Sequence, residues 1–320
     1  MALFLSETDV QQVLTADMAL AGVESAHRDL ALGQALDTPR QRSRLPQTVL
    51  HILQGALPAQ GVIGYKAYTS NKSGNRFLVH LHDAVTGGLQ ALIEANFLGM
   101  MRTGAASGVA ARALARGDAQ VAGVFGSGWQ AEGHIRALCA ALPLREIKVF
   151  ARRADKLADF GARLSELTGV RVRPAASAEE TVRDSDVLGT VTTAALPLFD
   201  AAWLAAGTHI NAAGSNALIR QELSEACLKR CDLIVVDTVA TALAEAGDLQ
   251  PSLEKGRLHA RQLVELGDIL IGRQAGRREA AAITLFESQG LAIQDLAVAV
   301  RVLEAARQQG LGREISLGAV

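Results

Sequence analysis

The chain has 320 residues, 49% of them hydrophobic and 20% charged; that is longer than one ordinary domain and too apolar for disorder, so two packed domains are expected. A formal net charge of −1 gives no electrostatic footprint for nucleic acid or for an anionic membrane surface. The three cysteines, Cys139, Cys227 and Cys231, make no disulfide framework, and Cys227 and Cys231, one helical turn apart without further paired ligands, read as thiols rather than a zinc site.

No apolar run reaches the roughly eighteen residues of a membrane span, and the first residues lack a basic segment leading into a long apolar one. A cytoplasmic protein with no membrane partner is expected. After a short strand, Ser6-Glu7-Thr8-Asp9 is a helix-cap signature, and Val10, Val13, Leu14, Met18, Val23 and Leu30 recur at helical spacing, predicting a helix from Ser6 to about Gln34. The segment from Asp37 to Ala59 carries Thr38-Pro39-Arg40-Gln41-Arg42-Ser43-Arg44-Leu45-Pro46. It reads as an exposed loop, or as arginines presenting a guanidinium fork to a carboxylate.

Val62 to Tyr68, Arg76 to Asp83 and Leu89 to Ile93 alternate as strands of an antiparallel meander, with Asp83 to Gly88 as a turn. The final apolar run needs its edge covered, which points to self-association. His80 and His82 share a face of their strand, the geometry of a metal pair, but no third ligand is evident and no metal is expected. A small-residue helix runs from Met101 to Arg116.

Val121 to Phe125 then reads as a strand, followed by a glycine turn and a helix to about Ala141. Gly126, Gly128 and Ala131 have the G-x-G-x-x-G/A spacing of a dinucleotide site: a tight turn, close backbone approach to a pyrophosphate, and close helix–strand packing. The helix start, with Ser127, Trp129 and Gln130, would face the phosphates with N–H groups and a favourable dipole. Strands at Glu146–Phe150, Val170–Arg173, Val187–Thr192, from His209 and Leu233–Asp237 alternate with helices at Asp155–Thr168 and Ala178–Ser185, predicting a doubly wound parallel sheet. Ala282 to Phe286 is the last strand-like run. Ile293 to Gln308 is an amphipathic helix outside the alternation, read as crossing back to the N-terminal domain.

An acid at the end of the second strand would select the free ribose hydroxyl of NAD. Here Val149-Phe150-Ala151-Arg152-Arg153 supplies two guanidiniums, so NADPH is favoured, with NADH as the alternative. The competing reading is that Arg152 and Arg153 are a solvated helix start.

Several runs carry a resemblance: Met101-Arg102-Thr103-Gly104-Ala105-Ala106, Gly126 to Ala131, His209-Ile210-Asn211-Ala212-Ala213-Gly214-Ser215-Asn216, Glu245 to Leu249, Glu265-Leu266-Gly267, and Ile283 to Ala292. Together, in order from about Arg42 to Ala299, they resemble the ornithine cyclodeaminase/mu-crystallin family. The resemblance implies an α/β fold in which a Rossmann doubly wound parallel sheet (residues 118–290) is inserted in a discontinuous α+β substrate-binding and dimerisation domain (residues 1–117 plus 291–320). It implies a homodimer, a nicotinamide cofactor and a small α-amino or α-imino acid as ligand. Members include cyclodeaminases, alanine dehydrogenase-like enzymes, ketimine reductases and a hormone-binding lens protein. Arg42, Lys66 and Arg102 match the family's basic pocket residues, with Lys66 and Arg102 as the catalytic candidates. Thr103, Thr192, Gly214 and Ser288 join the glycine motif as expected cofactor neighbours.

Two departures matter. Cyclodeaminases carry an aspartate base where this chain has Asn216, and an amide takes no proton at neutral pH. Asn216 is therefore expected to touch substrate without acting as a base. Leu53-Gln54-Gly55-Ala56 also stands where the family often has Met-Pro. The reading is an NAD(P)H-dependent reductase of a cyclic imino acid. The alternatives are an amino-acid dehydrogenase, a cyclodeaminase, or a non-catalytic binder of NADPH and a small ligand.

Overall fold

The computed structural model describes residues 2–153 and 155–316. It divides into two compact units, one made of the residues up to Arg102 with those from Gly290 onward, the other of Thr103–Gln289. The first boundary lies at Arg102/Thr103, inside a helix, rather than after residue 117.

In the first unit, β1 (Ala2–Leu5) leads into α1 (Glu7–Val13) and α2 (Ala16–Ala31). The single helix expected from Ser6 to Gln34 is thus two helices. Thr15 is extended, and its side chain accepts the Met18 N–H at 3.2 Å. A second N-cap nine residues after Ser6 starts a new helix, because its backbone cannot stay helical while its hydroxyl serves the next turn.

The segment expected as an exposed loop is a hairpin of β2 (Leu36–Arg44) and β3 (Val49–Leu57). Pro39 is tolerated because β2 is an edge strand and its register with β3 shifts between Thr38 and Gln41. An edge or bulge position needs no N–H donor. The meander follows as β4 (Val62–Asn71), β5 (Gly74–Asp83) and β6 (Leu89–Glu94).

Next, α3 (Asn96–Leu114) starts before the expected Met101. The Glu7 carboxylate accepts the Asn96 and Phe97 N–H groups at 2.5 and 3.0 Å. A cap supplied from so far along the chain leaves no local trace.

The second unit alternates through β7 (Val121–Phe125), α4 (Trp129–Ala141), β8 (Glu146–Phe150), α5 (Leu157–Thr168), β9 (Arg171–Pro174), α6 (Ala178–Val182), β10 (Val187–Thr190), β11 (His209–Ala212), α7 (Glu225–Arg230) and β12 (Leu233–Val236). It continues through α8 (Val239–Glu245), α9 (Gln250–Glu254), β13 (Leu263–Glu265), α10 (Leu266–Leu270) and β14 (Thr284–Glu287). The sheet order is β13-β12-β14-β11-β10-β7-β8-β9, and its pairs are parallel. The doubly wound parallel sheet is confirmed. Its order reverses between β7 and β10, the switch point outside whose strand ends such folds bind ligands. Val124 and Val187 pack in one core cluster, whereas their neighbours Phe125 and Leu188 pack in another. Both faces are therefore covered, as a parallel sheet requires. Some helices are shorter than expected: α5 begins at Leu157 rather than Asp155. The α6 helix ends at Val182 rather than Ser185, just ahead of Asp184 with its left-handed φ of 56°, a conformation that short polar side chains tolerate.

Finally α11 (Ala292–Gln308) and β15 (Arg313–Ile315) return to the first unit. Here α11 packs on α2 and on β3 and β4. The strand β15 pairs with β1, giving a seven-stranded sheet in the order β15-β1-β6-β5-β4-β3-β2. The β6 edge, expected to be open, is covered by β1 in parallel register. Among the described residues no helix is long and apolar enough to cross a membrane.

Candidate active site

In the first unit, Lys66 sits in β4 with Leu53 of β3 and Val79 of β5 directly opposite. It is only 2% exposed. Its ammonium reaches Asp295 Oδ2 at 2.6 Å, and the other oxygen of that carboxylate accepts Arg102 Nε at 2.9 Å. Arg102, from α3, also donates through Nη1 to Gln294 Oε1 at 3.0 Å, and Gln294 Nε2 contacts His27 Nε2 at 2.9 Å. Gly290, at φ +82°, is required beside this group, since a Cβ there would collide with the Arg102 guanidinium. Burial, then the Arg102 charge, lowers the Lys66 pKa to about 7, with Asp295 opposing them. Arg40 of β2 adds to the lowering.

Arg42 lies half-buried in β2 opposite His51. Strand alternation puts His51 on the same sheet face as Leu53, so Arg42 and Lys66 share that face. His51 stacks on Tyr68 with ring centres 4.2 Å apart. Its pKa falls to about 4 through burial and the charges of Arg42, Arg40 and Arg44. The three residues of the expected basic pocket are thus on one side of one sheet. The sequence reading missed Asp295, Gln294 and His27. The only available signal was an acid in the first turn of α11, favourable to the helix dipole.

In the second unit, Gly126 has φ +121°, and a Cβ there would lie 2.9 Å from the Val191 carbonyl oxygen. Gly128 is the N-cap of α4, with no side chain capping the helix and open space around its Cα. Ser127 is half-buried, while Trp129 and Gln130 are exposed. A left-handed glycine, an uncapped helix start and open space beside it fit a pyrophosphate. Arg152 and Arg153 are exposed just beyond β8, and Thr103 is half-buried in α3.

The other expected neighbours are tied to buried acids. Thr192 N and Gly214 N donate to the two Glu222 oxygens at 2.6 and 2.9 Å. Ser288 Oγ donates to Asp237 at 2.9 Å, so its hydroxyl proton is committed within the fold. Ser215 Oγ donates to Glu287 Oε1 at 2.6 Å. Burial raises the Glu222 pKa to about 7 and the Asp248 pKa to about 6. It lifts Glu287 well above the usual range, with Asp248 and Glu222 adding to the effect. Below this loop, Asn216 Oδ1 accepts Arg220 Nη1 at 3.1 Å. None of these acids was singled out from the sequence, since they converge from β14 and from loops between strands.

The two histidines of β5 serve packing. Tyr65 stacks on His80 at 4.4 Å and on His82 at 6.1 Å. Among the described residues no group of three or more potential metal ligands is assembled.

The sequence matches the family model described as the ornithine cyclodeaminase/mu-crystallin family over residues 1–310. It is 37% identical to a Δ1-pyrroline-2-carboxylate reductase of Bacillus cereus over 239 residues, 74% of this chain and 73% of that one. It is 34% identical to an alanine dehydrogenase of Archaeoglobus fulgidus over 326 residues, 98% of each chain. The structure resembles Thermococcus litoralis Δ1-pyrroline-2-carboxylate reductase in complex with NADH and L-proline, with a TM-score of 0.93 and 29% identity over 98% of this chain and 100% of that one.

Proposed function

The chain belongs to the ornithine cyclodeaminase/mu-crystallin family, and from that premise we propose that it is an oxidoreductase reducing a cyclic imino acid with NAD(P)H. The substrate class is Δ1-pyrroline-2-carboxylate or Δ1-piperideine-2-carboxylate, and the product L-proline or L-pipecolate. The observation that carries this reading is the buried pair of cations, Lys66 and Arg102, sharing the single carboxylate of Asp295. Two cations and one anion leave one positive charge, matched to a substrate with one carboxylate.

Arg102 and Arg42 would hold that carboxylate, since guanidinium forks match its geometry. A bound nicotinamide supplies the hydride that adds to the imine carbon. Lys66, with its pKa lowered to about 7, can hold or release a proton at neutral pH and would serve the ring nitrogen. Asn216 provides no base, and its amide oxygen is engaged by Arg220, which argues against cyclodeamination. The exposed Arg152 and Arg153 favour NADPH, whereas the Thermococcus litoralis relative was solved with NADH.

A second reading, an alanine dehydrogenase-like enzyme, is supported by the similarity to the Archaeoglobus fulgidus protein and would use the same cations on a keto acid with ammonia. The test is NADH and NADPH oxidation against a panel of cyclic imino acids and keto acids, with and without ammonia. Turnover of a cyclic imino acid without ammonia is expected. Turnover only of a keto acid with ammonia replaces the reading by the second one, and tight NADPH binding without turnover leaves a binding protein.

A further inference from the structure

Asp295 is fully buried in the first turn of α11. Each of its oxygens is committed to a different cation from a different element: Lys66 of β4 at 2.6 Å and Arg102 of α3 at 2.9 Å. Lys66 and Arg102 are long side chains that lose rotamer freedom when fixed. A short aspartate on a helix start, favoured there by the helix dipole, can anchor both. Its neighbour Gln294 takes a further Arg102 donor and accepts the Leu291 N–H at 3.2 Å, tying the guanidinium to the same helix turn.

We propose that Asp295 is the positioning residue of the imino-acid site: it locks the Lys66 ammonium against the Arg102 guanidinium and cancels one of their charges, keeping Lys66 a proton donor. This rests on the reductase reading above. The reaction balances as one hydride from the nicotinamide to the imine carbon and one proton from Lys66 Nζ to the ring nitrogen. The electron pair of the C=N π bond becomes the new N–H bond. Lys66 is left as a neutral amine and regains its proton from water.

The groups that bear on Lys66 account for its behaviour. On β3 and β5 its direct neighbours are the apolar Leu53 and Val79, whose side chains offer no compensating charge. Arg102 on α3 and Arg40 on β2 both favour the neutral amine, and Asp295 on α11 favours the ammonium. Without Asp295, burial and two guanidiniums act unopposed, and Lys66 loses its proton at a lower pH. Substrate binding is affected differently, because at neutral pH the lost anion and the lost Lys66 proton offset each other and leave the Arg102 charge to meet a carboxylate.

The experiment compares wild type with Asp295→Asn, which keeps the shape of the side chain. First, reduction of Δ1-pyrroline-2-carboxylate by the wild type is recorded across pH; no turnover of any cyclic imino acid there defeats the reductase reading itself, separately from this proposal. With turnover, the alkaline limb of kcat/KM, which reports the free enzyme, is expected near pH 7. In Asp295→Asn, kcat at neutral pH should fall about 100-fold, the scale of losing a general acid. KM for the imino acid should stay within about threefold, a split that separates chemistry from binding. The alkaline limb should move to lower pH, so that activity recovers on acidification. A pH-independent loss, a rise in KM at constant kcat, or wild-type kinetics overturns the proposal. Should Asp295→Asn fail to fold, Arg40→Gln supplies the readout. Removing that charge should move the wild-type limb to higher pH, and a kcat/KM without an alkaline limb, or one unmoved in Arg40→Gln, overturns the proposal.

Discussion

Asn216→Asp tests whether a missing base separates this chain from cyclodeaminases. The half-buried amide oxygen of Asn216 accepts Arg220 Nη1 at 3.1 Å. A carboxylate in that place would meet the same guanidinium and convert a neutral hydrogen bond into a charge-assisted one. At partial exposure such a pair contributes about 0.2–1 kcal/mol, all of it favouring the ionised form. The new carboxylate is therefore a weaker base than a free aspartate, but by less than about one pKa unit, so it can still take a proton. Imine reduction, which needs no base at this position, should keep kcat/KM within about tenfold, or ~1.4 kcal/mol of barrier. Ammonia release from L-ornithine with catalytic NAD+ should stay at background in the wild type and rise slightly in Asn216→Asp. It should rise further, by up to about fivefold, when Arg220→Ala is added to free the carboxylate. Equal ammonia release by the single and double variants would refute the role given to Arg220. Steady conversion of ornithine to proline by the unmutated protein would refute the reductase reading as well.

Three further outcomes are expected. Arg152→Asp should weaken NADPH binding far more than NADH binding, by about 1.5–3 kcal/mol for a lost charge-assisted contact; equal losses in cofactor titrations would show that Arg152 does not meet a 2′-phosphate. The raised Glu287 pKa means that the unfolded chain ionises above its ordinary range while the folded chain keeps the proton. Stability therefore falls as pH rises from the unfolded value towards the folded one. Glu287→Gln removes that slope, so its Tm relative to wild type should rise from pH 5 to pH 8, and a difference that is constant or shrinks contradicts the assignment. The sheet face that carries Ile63, 48% exposed, and Leu50, 37% exposed, is expected to form a homodimer. Sedimentation should give a dimer for wild type and a monomer for Leu50→Asp/Ile63→Asp, and a monomeric wild type rules the dimer out.

The sequence by itself determined the parts of this protein whose causes are local. The strand, glycine turn and helix at Val121–Ala141 were legible because the turn needs a left-handed residue at Gly126 and the helix needs an open start at Gly128. The meander was legible because alternation has period two, and α11 because its apolar stripe has a helical period. Lys66 and Arg102 could be named from the short motifs around them, although nothing local says what they touch. Tertiary structure decided the rest. Thr15 became a second cap, and an arginine-rich segment became an edge strand because β3 was there to pair with it. Glu7 capped a helix 89 residues away, and β14 entered the sheet between β11 and β12. Asp295 acquired its meaning only when folding brought it onto Lys66 across 229 positions of chain. A buried carboxylate stays ionised at tolerable cost only when cations meet it. Which cations do so depends on the packing of α11 against β3 and β4 and on where Arg102 meets its first turn, and no local pattern in the chain records that.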